Sequence, residues 1–265
     1  MCSSDLSLRR IGALARSSAA SVLLAPPPAE GRDDPRMRRW LAASGAWTSR
    51  SSSVRGGQRV PRLRTRPLHS VYVSTTGVYG DCAGDAIDET RRVRPGSARA
   101  GRRVAAEQRL RQAPGRRSVI LRAPGIYAAE RLPVERLRAG TPALAVEDDV
   151  FSNHIHADDL ARAIWLALFR GASQRSYNVV DDAQWRMGEY FDRVARAVGL
   201  PAPRRLPRAQ LMREVSPMLY SFMSESRRIS NHRLKHELRL RLTWPTPDTL
   251  LRTLKPAAAL QRSLL

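Results

Sequence analysis

Apolar positions along this chain change period, and the clearest stretch is Val71-Tyr72-Val73-Ser74-Thr75-Thr76-Gly77-Val78-Tyr79-Gly80-Asp81. There a β-branched and aromatic run gives way to small hydroxyl residues and then to glycine, which predicts a strand over Ser70–Ser74 and a turn after it. A helix is predicted over Ala98–Gln112 and a second strand over Ser118–Arg122. Leu160, Ile164, Ala167 and Leu168 then fall on one face of a helix that Asp158 or Asp159 is placed to cap and that Gly171 follows. Ser176–Val180 reads as a short buried strand. Phe191, Val194, Ala195 and Val198 mark another amphipathic helix, stopped by Gly199 and Pro201. Strand and helix in alternation predict an α/β protein with a parallel sheet and helices on both its faces.

Between Ser44 and His69 the hydrophobic period disappears into Ser, Arg and Gly, which predicts an irregular insertion over residues 44–69. The first twenty residues read as a non-native or disordered start, residues 21–180 as the α/β part, and residues 181–265 as a mainly helical lobe. At 265 residues and 42% hydrophobic content the chain can supply a core.

Charge adds a warning rather than a function. Lys plus Arg number 46 against 24 Asp plus Glu, a formal +22, yet Lys occurs only at Lys235 and Lys255. The Arg is spread along the chain without interleaved aromatics, so the skew reads as high-GC codon usage and specific nucleic-acid binding is not expected. Cys2 and Cys82 make no C-x-x-C, which leaves a disulfide framework or zinc site without support and a reducing cytoplasm as the expected compartment. The apolar runs are too short for a membrane span, and no membrane partner is expected.

Hydroxyls at the carboxyl end of a strand lie where open α/β sheets bind ligands, so Ser74, Thr75 and Thr76 are placed for chemistry. The Val71–Asp81 stretch resembles the serine/threonine motif of the extended short-chain dehydrogenase/reductases, the sugar-nucleotide epimerase and dehydratase group, and especially an atypical branch of it. The likeness continues, in family order from about Ser21 to about Leu251, through Asp88-Glu89-Thr90, Arg122 to Tyr127, Asn153 to Leu160, and Tyr177-Asn178-Val179. It implies an incomplete Rossmann-like sheet with a small C-terminal substrate lobe, NAD or NADP as cofactor, hydride chemistry, and a small-molecule substrate of the nucleotide-sugar kind. A homo-oligomer is compatible with it.

Residue by residue, the resemblance implies that Thr75 hydrogen-bonds the reacting oxygen, with Ser74 as the alternate one position away and Tyr79 as a phenol near the site. The cofactor side would be Ala25 and Pro26 after an early strand, Ser74, Arg103, and the loop Pro124, Gly125, Ile126 and Tyr127 at the nicotinamide end. Arg227 and Arg228 match a region near the substrate pocket, where a guanidinium fork grips phosphate. The family's Tyr-x-x-x-Lys pair falls, counting back from Ala105-Ala106-Glu107-Gln108, on Arg99 and Arg103. Arginine stays protonated at any working pH, so Arg99 cannot exchange a proton as the tyrosine does, while Arg103 retains the charge to hold a ribose or phosphate. His154 and His156 make an H-x-H pair on one strand face but find no third ligand, so no metal is expected, and His156 takes a packed role.

No G-x-G-x-x-G or G-x-x-G-x-x-G occurs in Met1–Ala20, and Gly56-Gly57 has no apolar strand before it. The first strands of the fold are therefore expected upstream of Met1, and cofactor binding and turnover are expected to be impaired. The alternative is a non-catalytic nucleotide-binding or regulatory protein on the same scaffold.

Overall fold

The computed structural model describes residues 20–24, 31, 33–43, 47–55, 58–66 and 68–254; Ala25, Pro26 and the first nineteen residues lie outside them. The chain enters through β1 (Ala20–Leu23) and α1 (Pro35–Ala43), then passes through β2 (Trp47–Arg55) and β3 (Gln58–Arg66) into β4 (Leu68–Thr75). A short β5 (Ala86–Ile87) precedes α2 (Ala98–Gln112) and β6 (Arg116–Ala123). After β7 (Gly125–Tyr127), α3 (Val134–Arg138) and β8 (Ala143–Leu144) come β9 (His154–His156), α4 (Ala157–Arg170) and β10 (Arg175–Asn178). The last part holds α5 (Met187–Val198), β11 (Arg205–Leu206), α6 (Arg208–Glu214), α7 (Pro217–Met223), β12 (Arg228–Ile229), α8 (His232–His236) and α9 (Pro247–Leu251).

Four strands form a parallel sheet in the order β1-β4-β6-β10. Successive side chains of a strand point to opposite faces, and here both faces are covered. Val71 and Val73 of β4, with Val119 and Leu121 of β6, pack against Leu160, Ala163 and Ala167 of α4. Tyr72 and Ile120, one residue out of phase, pack with Met37 and Trp40 of α1 and with Ala106 and Leu110 of α2. Burying each such aliphatic or aromatic side chain stabilises by roughly 1.5–3 kcal/mol, which is why a run that is apolar at consecutive positions becomes a central strand. The α/β architecture with helices on both faces is the one the sequence predicts. The helix over 98–112 has the bounds expected of it.

Two local expectations are corrected. The stretch expected to be irregular runs from Trp47 to Arg66 as an antiparallel pair, β2 with β3, whose register sets Arg55 opposite Gln58. In the sequence a Gly-Gly pair separates the two runs, a hairpin signal that outweighs the missing hydrophobic period. Both strands of an isolated pair are edges, so Pro61 is tolerated in β3. At the start of α4 neither Asp caps the helix. The His156 ring Nδ1 accepts from the Asp158 N–H at 3.2 Å instead. Asp159 is fully buried and accepts from the Thr243 and Trp244 N–H groups at 3.0 and 2.9 Å, tying the C-terminal segment to the helix. Among the described residues no helix is long and apolar enough to cross a membrane.

Candidate functional site

β4 and β6 pair in parallel with Thr75 opposite Ala123, so the residues that leave these strands, Thr76-Gly77 and Pro124-Gly125, emerge at the same sheet edge. Ligands of open α/β sheets bind outside such carboxyl ends. A cleft of about 280 Å³ opens there, between Thr75, Arg99 and Pro124 on the sheet side and Asn153, Glu225 and Arg227 across from them. Thr75 caps the 3-10 turn Thr76–Tyr79, its Oγ1 accepting from the Gly77 N–H at 3.2 Å, which leaves the hydroxyl proton available to a ligand.

Of the residues singled out from sequence, Thr75, Thr76, Pro124, Gly125, His154 and Arg227 are brought together at this cleft, and Arg99 with them. Others are placed elsewhere. The Ser74 hydroxyl donates to Glu107 Oε1 at 2.6 Å, inside a buried network. Glu107 in turn receives both ends of the Arg122 guanidinium, which also donates to Tyr79 Oη at 2.9 Å, and Tyr79 donates to Asn178 Oδ1 at 2.7 Å. Burial, opposed by Arg122, raises the Tyr79 phenol above its ordinary value, and Tyr79 is not among the cleft-lining residues. Arg103 donates to Tyr72 Oη at 2.9 Å and to the Val73 carbonyl at 3.1 Å. Arg228 turns to the Gly84 carbonyl and to a separate, more open groove of about 740 Å³. Ile126 packs toward the α4 face of the sheet, and Tyr127 is buried with its hydroxyl 3.4 Å from the Trp244 carbonyl it donates to. His156 stacks on Trp244 at 4.4 Å between centroids, the packed role expected of it. Among the described residues no three His, Cys, Asp or Glu groups come together to hold a metal.

Sequence reading missed the cleft's second wall. Glu225 accepts from Arg227 Nη1 at 2.7 Å, and Arg99 lays its guanidinium 4.0 Å from the Phe222 ring centroid. Burial lowers the Arg99 guanidinium from its ordinary value, and the Glu225 carboxylate opposes that shift. Asn153 holds this wall in place, donating to the Arg227 carbonyl at 2.9 Å and accepting from the Ile229 N–H at 3.1 Å. His154 also lines the cleft; desolvation pulls its imidazole down to about 4, so it is neutral near pH 7. Asn153 and His154 sit inside a block the family resemblance had marked, whereas Glu225 carried no signal beyond standing two residues from Arg227.

The same architecture recurs in solved structures. DesIV, a dTDP-glucose 4,6-dehydratase of Streptomyces venezuelae solved with NAD and TYD bound, superposes with a TM-score of 0.65 over 93% of this chain and 75% of its own, at 18% identity. This chain has the fold of the NAD-dependent epimerases and dehydratases. A conserved protein of unknown function from Silicibacter pomeroyi shares that fold at a TM-score of 0.64, with 33% identity over 70% of this chain and 65% of its own. Protein YeeZ of Escherichia coli (strain K12) is 30% identical over 146 residues, 55% of this chain. The match spans about half, 49%, of the length of YeeZ. No family model matches.

Proposed function

We propose that this chain is an NAD(P)-dependent oxidoreductase or epimerase-like protein, related to the nucleotide-sugar epimerases and dehydratases, whose turnover is impaired. The observation that carries the reading is the convergence of Thr75, Arg99, Pro124 and Arg227 on one cleft at the sheet's carboxyl edge, and the family resemblance matches Arg99 to the proton-exchanging tyrosine. Thr75, Pro124 and Gly125 suit the nicotinamide end of a dinucleotide, which when bound supplies hydride chemistry. Arg103 does not suit the ribose in the same way, because its guanidinium is engaged by Tyr72 and Val73. The mainly helical part after residue 180 provides the substrate side through Ser221, Phe222, Glu225 and Arg227.

The chain's own residues divide the work. Thr75 donates to a ligand oxygen, and Arg227 offers charge to an anionic group. Arg99 attracts an anion but stays protonated through any cycle, so it cannot serve as general acid and base. That single feature also favours a second reading, a non-catalytic nucleotide-binding or regulatory protein on the same scaffold.

NADH and NADPH fluorescence titrations test the first part: saturable binding weakened at least tenfold in Thr75→Ala is expected, and no saturable binding to the intact chain overturns the cofactor assignment. Turnover of UDP-glucose or dTDP-glucose tests the second. Hydride transfer well above background with Arg99 in place, lost in Arg99→Gln, overturns the impairment. A gain of tenfold or more in Arg99→Tyr combined with Arg103→Lys supports the oxidoreductase scaffold over the binding-only reading, and no gain favours the latter.

A further inference from the structure

The outward face of α4 breaks the pattern that the rest of the helix keeps. Leu160, Ala163 and Ala167 turn to the sheet and are buried, so the positions across the helix from them should be polar. Instead Trp165 and Phe169, one turn apart, are 64% and 67% exposed, with their ring centroids 4.9 Å apart. Large aromatic side chains left together in water form the kind of apolar patch that marks an interaction surface.

A groove of about 470 Å³ runs beside them, with Ala161, Arg162, Trp165 and Leu166 of α4 on one side and Arg239 and Arg241 on the other. The second wall reads Leu-Arg-Leu-Arg-Leu from Leu238 to Leu242: Leu238 and Leu240 are buried in the core, Leu242 packs against it, and the two arginines are exposed. Arg170 fastens one end of this segment to α4 by donating to the Leu238 carbonyl at 3.1 Å, and Arg162 fastens the other by donating to Thr243 Oγ1. The two walls are thus joined by the protein's own hydrogen bonds. Arg239 stands at φ +56°, in the left-handed region where a side chain is strained, so a charged residue is kept on this surface at a conformational cost. Arg162 has a counter-ion in the buried Asp159, at 2.8 Å. Arg239 and Arg241 make no side-chain hydrogen bond or ion pair among the described residues, and no acidic residue lines the groove. None of the groove residues lines the cleft at the sheet edge, so the surface stands apart from the cofactor reading.

Charge and shape together select the occupant. A second copy docked symmetrically would set the same arginines against one another, and like charges brought together repel. A lipid surface supplies negative charge but lies flat across a groove instead of filling it. A peptide segment that carries carboxylates around an apolar side chain answers the aromatic patch, the groove and the free guanidinium groups at once. We propose that the Trp165–Phe169 face and its groove are a docking surface for an acidic segment of another protein, which seats an apolar side chain beside Trp165 and Leu166 and pairs its carboxylates with Arg239 and Arg241.

The test is fluorescence anisotropy of a labelled synthetic peptide, two leucines set among glutamates, titrated with the full chain at low salt, beside the same peptide with glutamine for every glutamate. Saturable binding of the glutamate peptide alone is expected, weakened about tenfold or more both in Trp165→Ala and in Arg239→Glu combined with Arg241→Glu. Because the chain carries a formal +22, the control is Arg131→Glu combined with Arg213→Glu, two exposed arginines on other elements, which should leave affinity within about twofold. Unchanged thermal unfolding of each variant, and an unchanged NADH titration, check that lost binding is not lost fold. No saturable binding of the glutamate peptide, full binding retained in Trp165→Ala or in the Arg239/Arg241 variant, or an equal loss in the control overturns the proposal. So does sedimentation with vesicles of phosphatidylcholine and phosphatidylserine in equal parts, without peptide binding, which assigns the face to a membrane. A dimer in analytical ultracentrifugation that Trp165→Ala dissociates assigns it to a second copy and overturns the proposal as well.

Discussion

Replacing Glu107 by glutamine should unfold this protein more easily than any surface change. Glu107 and Arg122 are a buried pair, with side chains 5% and 6% exposed, joined through two contacts at 2.7 and 3.2 Å. Glutamine keeps the shape and one acceptor but withdraws the charge and turns an N–H₂ toward a guanidinium. At an effective dielectric near 20, charges 2.7 Å apart attract by about 6 kcal/mol. Removing one partner of such a pair costs about 3–5 kcal/mol, because the survivor stays buried and uncompensated. Ser74 also loses a charged acceptor at 2.6 Å. For a chain of this size that is a fall of about 6–20 °C in Tm, or about 1–2 M in the urea midpoint with the slope unchanged. Far-UV circular dichroism and Trp fluorescence followed through urea would read it. The double variant Glu107→Leu with Arg122→Met should lose clearly less than the two single variants together, since it leaves no unpaired buried charge. A loss under about 1 kcal/mol for Glu107→Gln, or simple additivity in the double variant, would show that the network does not hold this end of the sheet.

Three further changes have defined outcomes. Burial pushes the Asp181 carboxyl up to about 8 and the His154 imidazole down to about 4, from ordinary values of 3.8 and 6.5. A raised acid binds more protons folded than unfolded, so its contribution to stability falls as pH rises from about 4 to 8; a lowered histidine binds fewer, so its contribution rises with pH from about 4 to 6.5. The two slopes oppose each other below pH 6.5, and above it Asp181 alone should take away about 2 kcal/mol by pH 8, a decline that Asp181→Asn removes; equal slopes in both proteins would exclude it. Gly80→Ala should cost at least 3 kcal/mol in urea unfolding: at φ +69° its new Cβ would stand 2.0 Å from the Arg94 carbonyl oxygen, a backbone atom that cannot step aside. Tyr79→Phe leaves Asn178 Oδ1 without its phenol donor and should cost roughly 1–2 kcal/mol while leaving NADH affinity within about twofold, the reverse of Thr75→Ala; a tenfold loss of NADH affinity would return Tyr79 to the site.

The parts of the fold legible in sequence are those whose cause is local or periodic. Val71-Tyr72-Val73 reads as a central strand because both faces are buried, and Gly199, at φ +71°, ends α5 where a left-handed residue is needed. What stayed illegible depends on partners distant in sequence. Asp159 looked like a helix cap, and its carboxylate was instead claimed by the backbone of Thr243 and Trp244. The β2–β3 pair offers no apolar alternation to read, only a Gly-Gly pair that was weighed as a phosphate turn and not as a hairpin.

The same distinction separates the residues that hold the site from those that await something in it. Ser74, Tyr79 and Arg103 carry the right chemistry at the right sheet edge, yet each is already hydrogen-bonded to another part of the protein. Neighbouring positions on one strand therefore do opposite things: Ser74 points to Glu107 and fixes the strand to α2, while Thr75, one residue on, faces the cleft with a proton to give. Spacing cannot tell these apart, because period two assigns a face and not a partner. The partner each side chain has found can: Ser74 is bound to Glu107 of α2, whereas Thr75 bonds only within its own turn. A hydroxyl that accepts from the Gly77 N–H and keeps its own proton, in a residue that lines the cleft, is what separates Thr75 from the neighbours that hold the sheet together.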